Sequence, residues 1–240
     1  MFAYNKVTLT FITEMLLVAV LIISLIISIK RRKKIKELRF FPFYLGYFLF
    51  VFLCGDICYF IAFKYDQKPI ALAITSYTDY SSTLIEIIIF LHFFYSIIYN
   101  DIVKKTVPII AVCFCALFFW ALLSDSFFPD GITESTQSRV YTIEAAILMS
   151  YSTYCLIEII RNKVHGNRRL GPNFWISVGY FLFASGTLPY SIIEPLLRKK
   201  YPFLSTELYS LFYLFYIVLF FFIVKAYLAK IENALTYKSE

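Results

Sequence analysis

Seven carboxylates sit inside stretches of this chain that are otherwise apolar: Glu14, Asp56, Asp79, Glu86, Glu144, Glu194 and Glu207. A carboxyl group in such surroundings is costly unless a hydrogen-bond donor, a proton, a counter-ion or a ligand meets it. Spacing sorts these acids into stripes with hydroxyl groups. Ser76, Asp79, Tyr80, Thr83 and Glu86 form one. Tyr141, Glu144 and Tyr151 form a second. Thr187, Tyr190, Ser191 and Glu194 form a third, and Thr206, Tyr209, Ser210, Tyr213 and Tyr216 a fourth. Separations of three, four and seven residues put side chains on one face of a helix. Turned inward, the stripes line a polar, tyrosine-rich pocket. Its expected ligand-binding set is Glu86, Asp56, Asp79, Tyr80, Glu144, Tyr190, Glu194 and Tyr213, with Glu86 the deepest. A second arrangement stays open at this point. Asp56 with Tyr59, Tyr141 with Glu144, and Tyr190 with Glu194 would satisfy one another by hydrogen bonds and leave no pocket.

Other chemistry is poorly served. The two histidines are His92 and His165, too few for a zinc hydrolase site, which needs several around the metal. Six residues separate Glu86 from His92, so the two point to different faces, and His92 reads as a hydrogen-bonded packing residue. Cys54, Cys58, Cys113, Cys115 and Cys155 all fall in apolar segments and are odd in number, unlike a secreted disulfide framework. They read as small packing residues. No nucleophile–base pair and no metal constellation is recognisable, so the expectation is a protein that is not an enzyme and holds no cofactor or metal.

The elements that must position these groups are helices. The chain is 60% hydrophobic and 16% charged, far from the composition of soluble domains. Apolar runs at about 8–29, 40–63, 71–98, 107–124, 139–160, 172–196 and 205–227 are each long enough to cross a bilayer. The connections are short, which predicts one all-α bundle of seven transmembrane helices over residues 1–240 with neighbours antiparallel. A closed barrel would need alternating polarity, which Met15 to Ile29 lacks. The net charge of +7 is not a nucleic-acid signature, because it is sorted by side. Placing the amino terminus outside puts 16 of the 23 Lys and Arg on the inner face. These include the run from Lys30 to Arg39, Lys104, Lys105, Arg161, Lys163, Arg168, Arg169 and Lys225. Positive charge in short loops sets orientation, which predicts the amino terminus outside and the carboxyl terminus inside. The same run faces anionic headgroups, so membrane lipids are expected partners. Near the inner ends, Glu158 is placed to pair with Lys225 or Arg161.

The first apolar segment lacks the flanks and cleavage site of a signal peptide. About 13 residues follow the seventh helix, too few for an effector domain, so the output of a receptor would pass to a membrane or cytoplasmic partner at the basic inner loops. Pro42 and Pro172 suit first helical positions. Pro189 and Pro195 are expected to interrupt the outer half of helix six, kinking it there and exposing carbonyls, and Gly179, Ala184 and Gly186 to admit a close neighbour.

Signatures of several seven-helix families are missing. There is no lysine deep in helix seven for a retinal, no Asp-Arg-Tyr after helix three and no Asn-Pro-x-x-Tyr in helix seven. The run Pro172-Asn173-Phe174-Trp175-Ile176-Ser177-Val178-Gly179-Tyr180-Phe181, with Glu86 before the aromatic Phe93-Phe94-Tyr95, is similar to a motif of small, uncharacterised seven-helix inner-membrane proteins common in Bacteroidota. That resemblance implies the fold and a multi-pass place in the bacterial inner membrane, but no activity. The resulting expectation is a receptor-like sensor that binds a small ligand in the outward-facing pocket and signals through a partner. A small-solute or proton-coupled transporter is the alternative, followed by a lipid-acting enzyme or an assembly subunit. The residues name no ligand and no oligomeric state.

Overall fold

A backbone at membrane depth must satisfy its own N–H and C=O groups, so apolar runs of this length become helices. A computed structural model describes residues 2–65, 68–127, 134–164 and 171–236. Seven helices result: α1 Phe2–Arg31, α2 Phe41–Tyr65, α3 Lys68–Ile97, α4 Asp101–Phe127, α5 Glu134–Val164, α6 Pro172–Lys200 and α7 Pro202–Thr236. Each holds a segment long and apolar enough to cross a bilayer. Their outer faces carry Ile102, Val112 and Trp120, which are 77, 69 and 71% exposed. Large apolar groups presented outward in this way suit hydrocarbon and not water. The architecture is that of a multi-pass membrane protein.

Six helices close a ring in the order α1, α2, α3, α5, α6, α7, and α4 leans on α3 and α5 from outside. Small residues set the closest approaches. On α1, Leu17, Leu21, Ser24 and Ser28 recur at heptad spacing and are fully buried. The Ser24 hydroxyl donates to the Val20 carbonyl at 2.7 Å and lies 3.5 Å from the Phe220 carbonyl of α7. Between α6 and α7, a Cβ at Gly179 would stand 2.5 Å from that of Phe222, and one at Gly186 would run into the Phe215 ring. The expected role of these glycines is therefore physical: side chains of α7 occupy their space.

The prolines of α6 free carbonyls as expected but do not interrupt the helix. Pro189 and Pro195 lie inside a helix that continues to Lys200. Each removes one N–H and strands the carbonyl four residues earlier. Pro195 strands Ser191 O, and the Ser138 hydroxyl of α5 donates to that carbonyl at 2.5 Å. The neighbouring helix thus supplies the missing donor, which is how proline survives in such helices. A third proline, Pro108, is carried within α4.

The end of the bundle that bears the α1–α2 and α3–α4 connections is rich in Lys and Arg; it is termed the basic end, and the opposite end the far end. Residues 32–38 form two short 3-10 turns that tuck Ile35 and Leu38 under the helices, where both are buried. The Tyr227 hydroxyl of α7 donates to Leu38 O at 2.7 Å, and Arg31 Nη1 donates to Tyr227 O at 3.3 Å. This plug lets α2 begin at depth, with Phe41 and Tyr44 already buried. At the α3–α4 connection, Asn100 Oδ1 accepts from the N–H of Ile102 and Val103 at 2.9 and 3.4 Å, capping α4. Glu158 accepts from the Tyr99 N–H at 3.4 Å, and no cation pairs with it among the described residues. Lys225 instead sits 3.7 Å from the centre of the Trp175 ring.

Candidate functional site

Glu86 lies on the inward stripe of α3, between Thr83 and Phe90, and is 3% exposed. Three tyrosines from three other helices converge on its carboxyl group. Tyr180 of α6 donates to Oε1 at 2.7 Å. Tyr216 of α7 and Tyr44 of α2 donate to Oε2 at 3.3 and 3.4 Å. One carboxyl group therefore ties α2, α3, α6 and α7 together in the centre of the bundle. The phenols are held by their rings. Tyr180 packs on Phe90 at 4.1 Å between centroids, and Tyr216 on Phe183 and Phe48 at 4.5 and 4.7 Å.

A second acid joins this centre. Glu144 of α5 is 7% exposed, and its Oε1 is buried with no hydrogen-bond partner among the described residues. Its carboxyl group lies within electrostatic reach of Glu86 and of the hydroxyls of Tyr44, Tyr180 and Tyr216. Toward the far end, the α5–α6 seam stays polar. On α6, Tyr180, Ala184, Thr187, Ser191 and Glu194 follow one another at spacings of four and three, and all are buried. Ser138 and Thr142 of α5 face them, with Thr142 Oγ1 donating to Ser191 Oγ at 3.1 Å.

Toward the basic end the polarity stops. Phe41, Phe90, Phe93, Phe94 and Phe220 fill the space below Glu86 and are buried. Phe90 meets Phe41 and Tyr44 edge-on at 5.3 and 5.5 Å. His92 is not the hydrogen-bonded packing residue expected. It is exposed on the bundle surface, edge-on to Phe40 at 5.0 Å, because a six-residue step from Glu86 rotates it out of the core. The site is a column of buried polar side chains that gives way to phenylalanine below Glu86.

Of the residues singled out in the sequence, Glu86, Glu144 and Glu194 are buried acids of this column or its α6 stripe. Tyr80 is buried with its ring 4.9 Å from Phe118. Tyr213 is half-buried against Phe52, and Tyr190 against Phe212. Tyr190 lines an apolar groove of about 310 Å³ between α6 and α7 that opens on the outer surface, with Gly186, Pro189 and Phe215. The side chains of Asp56 and Asp79 lie outside the described residues. The three donors to Glu86 were not in the expected set. Tyr216 stands in the fourth stripe and Tyr180 follows Gly179 in the α6 motif, so both left a trace. Tyr44 left none, because its depth depends on the plug. Cys58 and Cys155 are buried, Cys113 is exposed, and all five cysteines are free thiols. No family model, curated protein or solved structure matches this chain.

Proposed function

We propose that this protein is a receptor-like membrane sensor. Its state is set at the Glu86–Glu144 centre and read at the basic end by a partner protein. The observation that carries the reading is the convergence of Tyr44, Tyr180 and Tyr216 on Glu86. Any change at that carboxyl alters the restraint on α2, α6 and α7 together. The column favours sensing over transport, because buried phenylalanines replace the polar path that a carrier needs below Glu86. The reading includes an orientation: the basic end faces the cytoplasm of a bacterial inner membrane, and the polar column opens outward.

A native reporter tests it. The two tryptophans are Trp120, exposed on α4, and Trp175, at the basic end of α6. Trp175 lies five residues from Tyr180, about 7.5 Å along the helix, and is held between Lys225 and Phe222. In a W120F background, Glu86→Gln is expected to shift Trp175 emission and its accessibility to a water-soluble quencher. Identical emission and quenching in both proteins would overturn the sensor reading. So would proton or sodium flux through proteoliposomes that Glu86→Gln abolishes, which is the behaviour of a carrier.

A further inference from the structure

We infer that the Glu86–Glu144 centre binds one dehydrated monovalent metal cation, with sodium the probe of choice. This rests on the sensor reading and names the ligand class of the same site. The first observation is charge. Two buried carboxyl groups lie within electrostatic reach of each other, and no hydrogen bond or ion pair to either from a Lys or Arg side chain is found among the described residues. Lys104 lies over Tyr95, Lys225 over Trp175 and Arg39 over Phe40, while Arg31 donates to the Tyr227 carbonyl. Arg139, Lys199 and Lys200 are exposed at the far end. Uncompensated charge at this depth is strongly unfavourable, and a buried carboxyl escapes it by taking up a proton or by meeting a cation, which here has to come from outside the chain's own side chains; dependence on sodium at fixed pH separates the two.

The second observation is the carboxyl oxygen Oε1 of Glu144, buried without a hydrogen-bond partner among the described residues. A carboxylate oxygen accepts up to two interactions, and this one has none among the described residues. The third is the donor set. Each phenol that donates to Glu86 keeps lone pairs on the same oxygen. The hydroxyls of Tyr44, Tyr180 and Tyr216 can therefore hold Glu86 and still present oxygen to a metal ion. Hard oxygen ligands suit alkali and alkaline-earth cations. Two carboxylates with neutral phenols provide less charge than calcium sites usually gather. No cluster of three or more metal-ligating His, Cys, Asp or Glu occurs among the described residues. Phe90, Phe183 and Phe48 crowd the rings of Tyr180 and Tyr216 beside Glu86, which favours a monatomic ion over an organic amine.

The test uses the full chain in lipid nanodiscs. Binding of radioactive sodium is measured at fixed pH and ionic strength, with choline replacing sodium. Thermal unfolding is followed in the same buffers. Saturable binding near one ion per chain and a higher Tm in sodium than in choline are expected. Both should be lost in Glu144→Gln and in Glu86→Gln, and both kept in Glu158→Gln, whose carboxyl lies at the basic end. The wild-type result decides the matter even where a variant folds poorly. Absence of saturable binding overturns the inference, as does a Tm that responds to pH but not to sodium at fixed pH. The two readings fail separately. Sodium binding without any response of Trp175 to sodium would keep the cation site and sink the sensor. A Trp175 shift in Glu86→Gln without sodium binding would do the reverse.

Discussion

Removing one hydroxyl from the Glu86 centre should have an effect that depends on which tyrosine loses it. Tyr180 is the only one of the three phenols bonded to Oε1, at 2.7 Å, whereas Tyr216 and Tyr44 share Oε2 at 3.3 and 3.4 Å. Tyr180→Phe leaves the ring in place, 4.1 Å from Phe90 and 5.4 Å from Phe183. The loss is therefore one short hydrogen bond plus the stranding of a buried acceptor, roughly 1.5–3 kcal/mol. Tyr216→Phe or Tyr44→Phe leaves Oε2 with its other donor, and each should cost only about 0.5–1.5 kcal/mol. Reversible denaturant unfolding in mixed micelles measures the difference, read as midpoint shifts at constant slope. A cycle with Glu86→Leu isolates the bond. In that background the Tyr180 hydroxyl has lost its acceptor, so Tyr180→Phe should be neutral or stabilising. An equal loss in both backgrounds, or a larger loss for Tyr44→Phe than for Tyr180→Phe, would refute the placement of the three hydroxyls.

Other substitutions probe the frame around the site. Ser138→Ala should destabilise by about 1–3 kcal/mol, because it strips the donor from the carbonyl that Pro195 strands. Combined with Pro195→Ala, which restores a backbone N–H, most of that loss should vanish, and additivity in unfolding measurements would contradict the account. Glycine-to-alanine changes should split by position. Gly179→Ala and Gly186→Ala collide with Phe222 and Phe215 and should lower stability by about 1–3 kcal/mol. Gly55→Ala meets nothing within 4 Å and should gain a few tenths to about 1 kcal/mol from helix propensity. Thermal unfolding of the three side by side checks the order. Tyr227→Phe removes the hydrogen bond to Leu38 O, so faster amide hydrogen exchange is expected at residues 32–38, with exchange at Glu86 unchanged.

The seven helices were legible in the sequence because each satisfies one length and polarity rule, and the helices overlap the expected spans with longer ends. Glu86 and Glu144 were legible as acids in apolar runs, and heptad-like spacing foretold the α6 stripe through Thr187, Ser191 and Glu194. Pairings across helices were not legible. Tyr44 lies near the start of its apolar run, where a tyrosine normally belongs to an interfacial belt. It reaches the core only because residues 32–38 fold beneath the bundle, an event that depends on Tyr227, 189 residues away from Leu38. Pro195 misled for a related reason. Its own helix loses a donor, and only the position of Ser138 on α5 shows why that helix need not break.

The choice of partners at Glu86 bears on what the centre can do. A guanidinium beside this carboxyl would make a strong, bidentate pair and fix the four helices in one arrangement. Phenols are neutral donors, each contributing roughly 0.5–1.5 kcal/mol net in a typical hydrogen bond. Three of them offset only part of the several kcal/mol that burying a carboxylate costs. The central knot joining α2, α3, α6 and α7 is thus held by forces of the same size as the charge penalty it contains. A single positive charge arriving between Glu86 and Glu144 changes that balance by an amount comparable to the whole knot. An equilibrium moves only as far as a ligand's preference for one state allows, and under the proposed reading a centre poised in this way would give a small ion a large preference. The same logic explains the phenylalanines toward the basic end. If water reached Glu86 from both sides, it would solvate the carboxyl and erase the penalty that makes the centre responsive. Buried phenylalanines lie on the basic side of Glu86; under the proposed sensor reading, packing along α6, and not a flow of ions, would carry the change to Trp175.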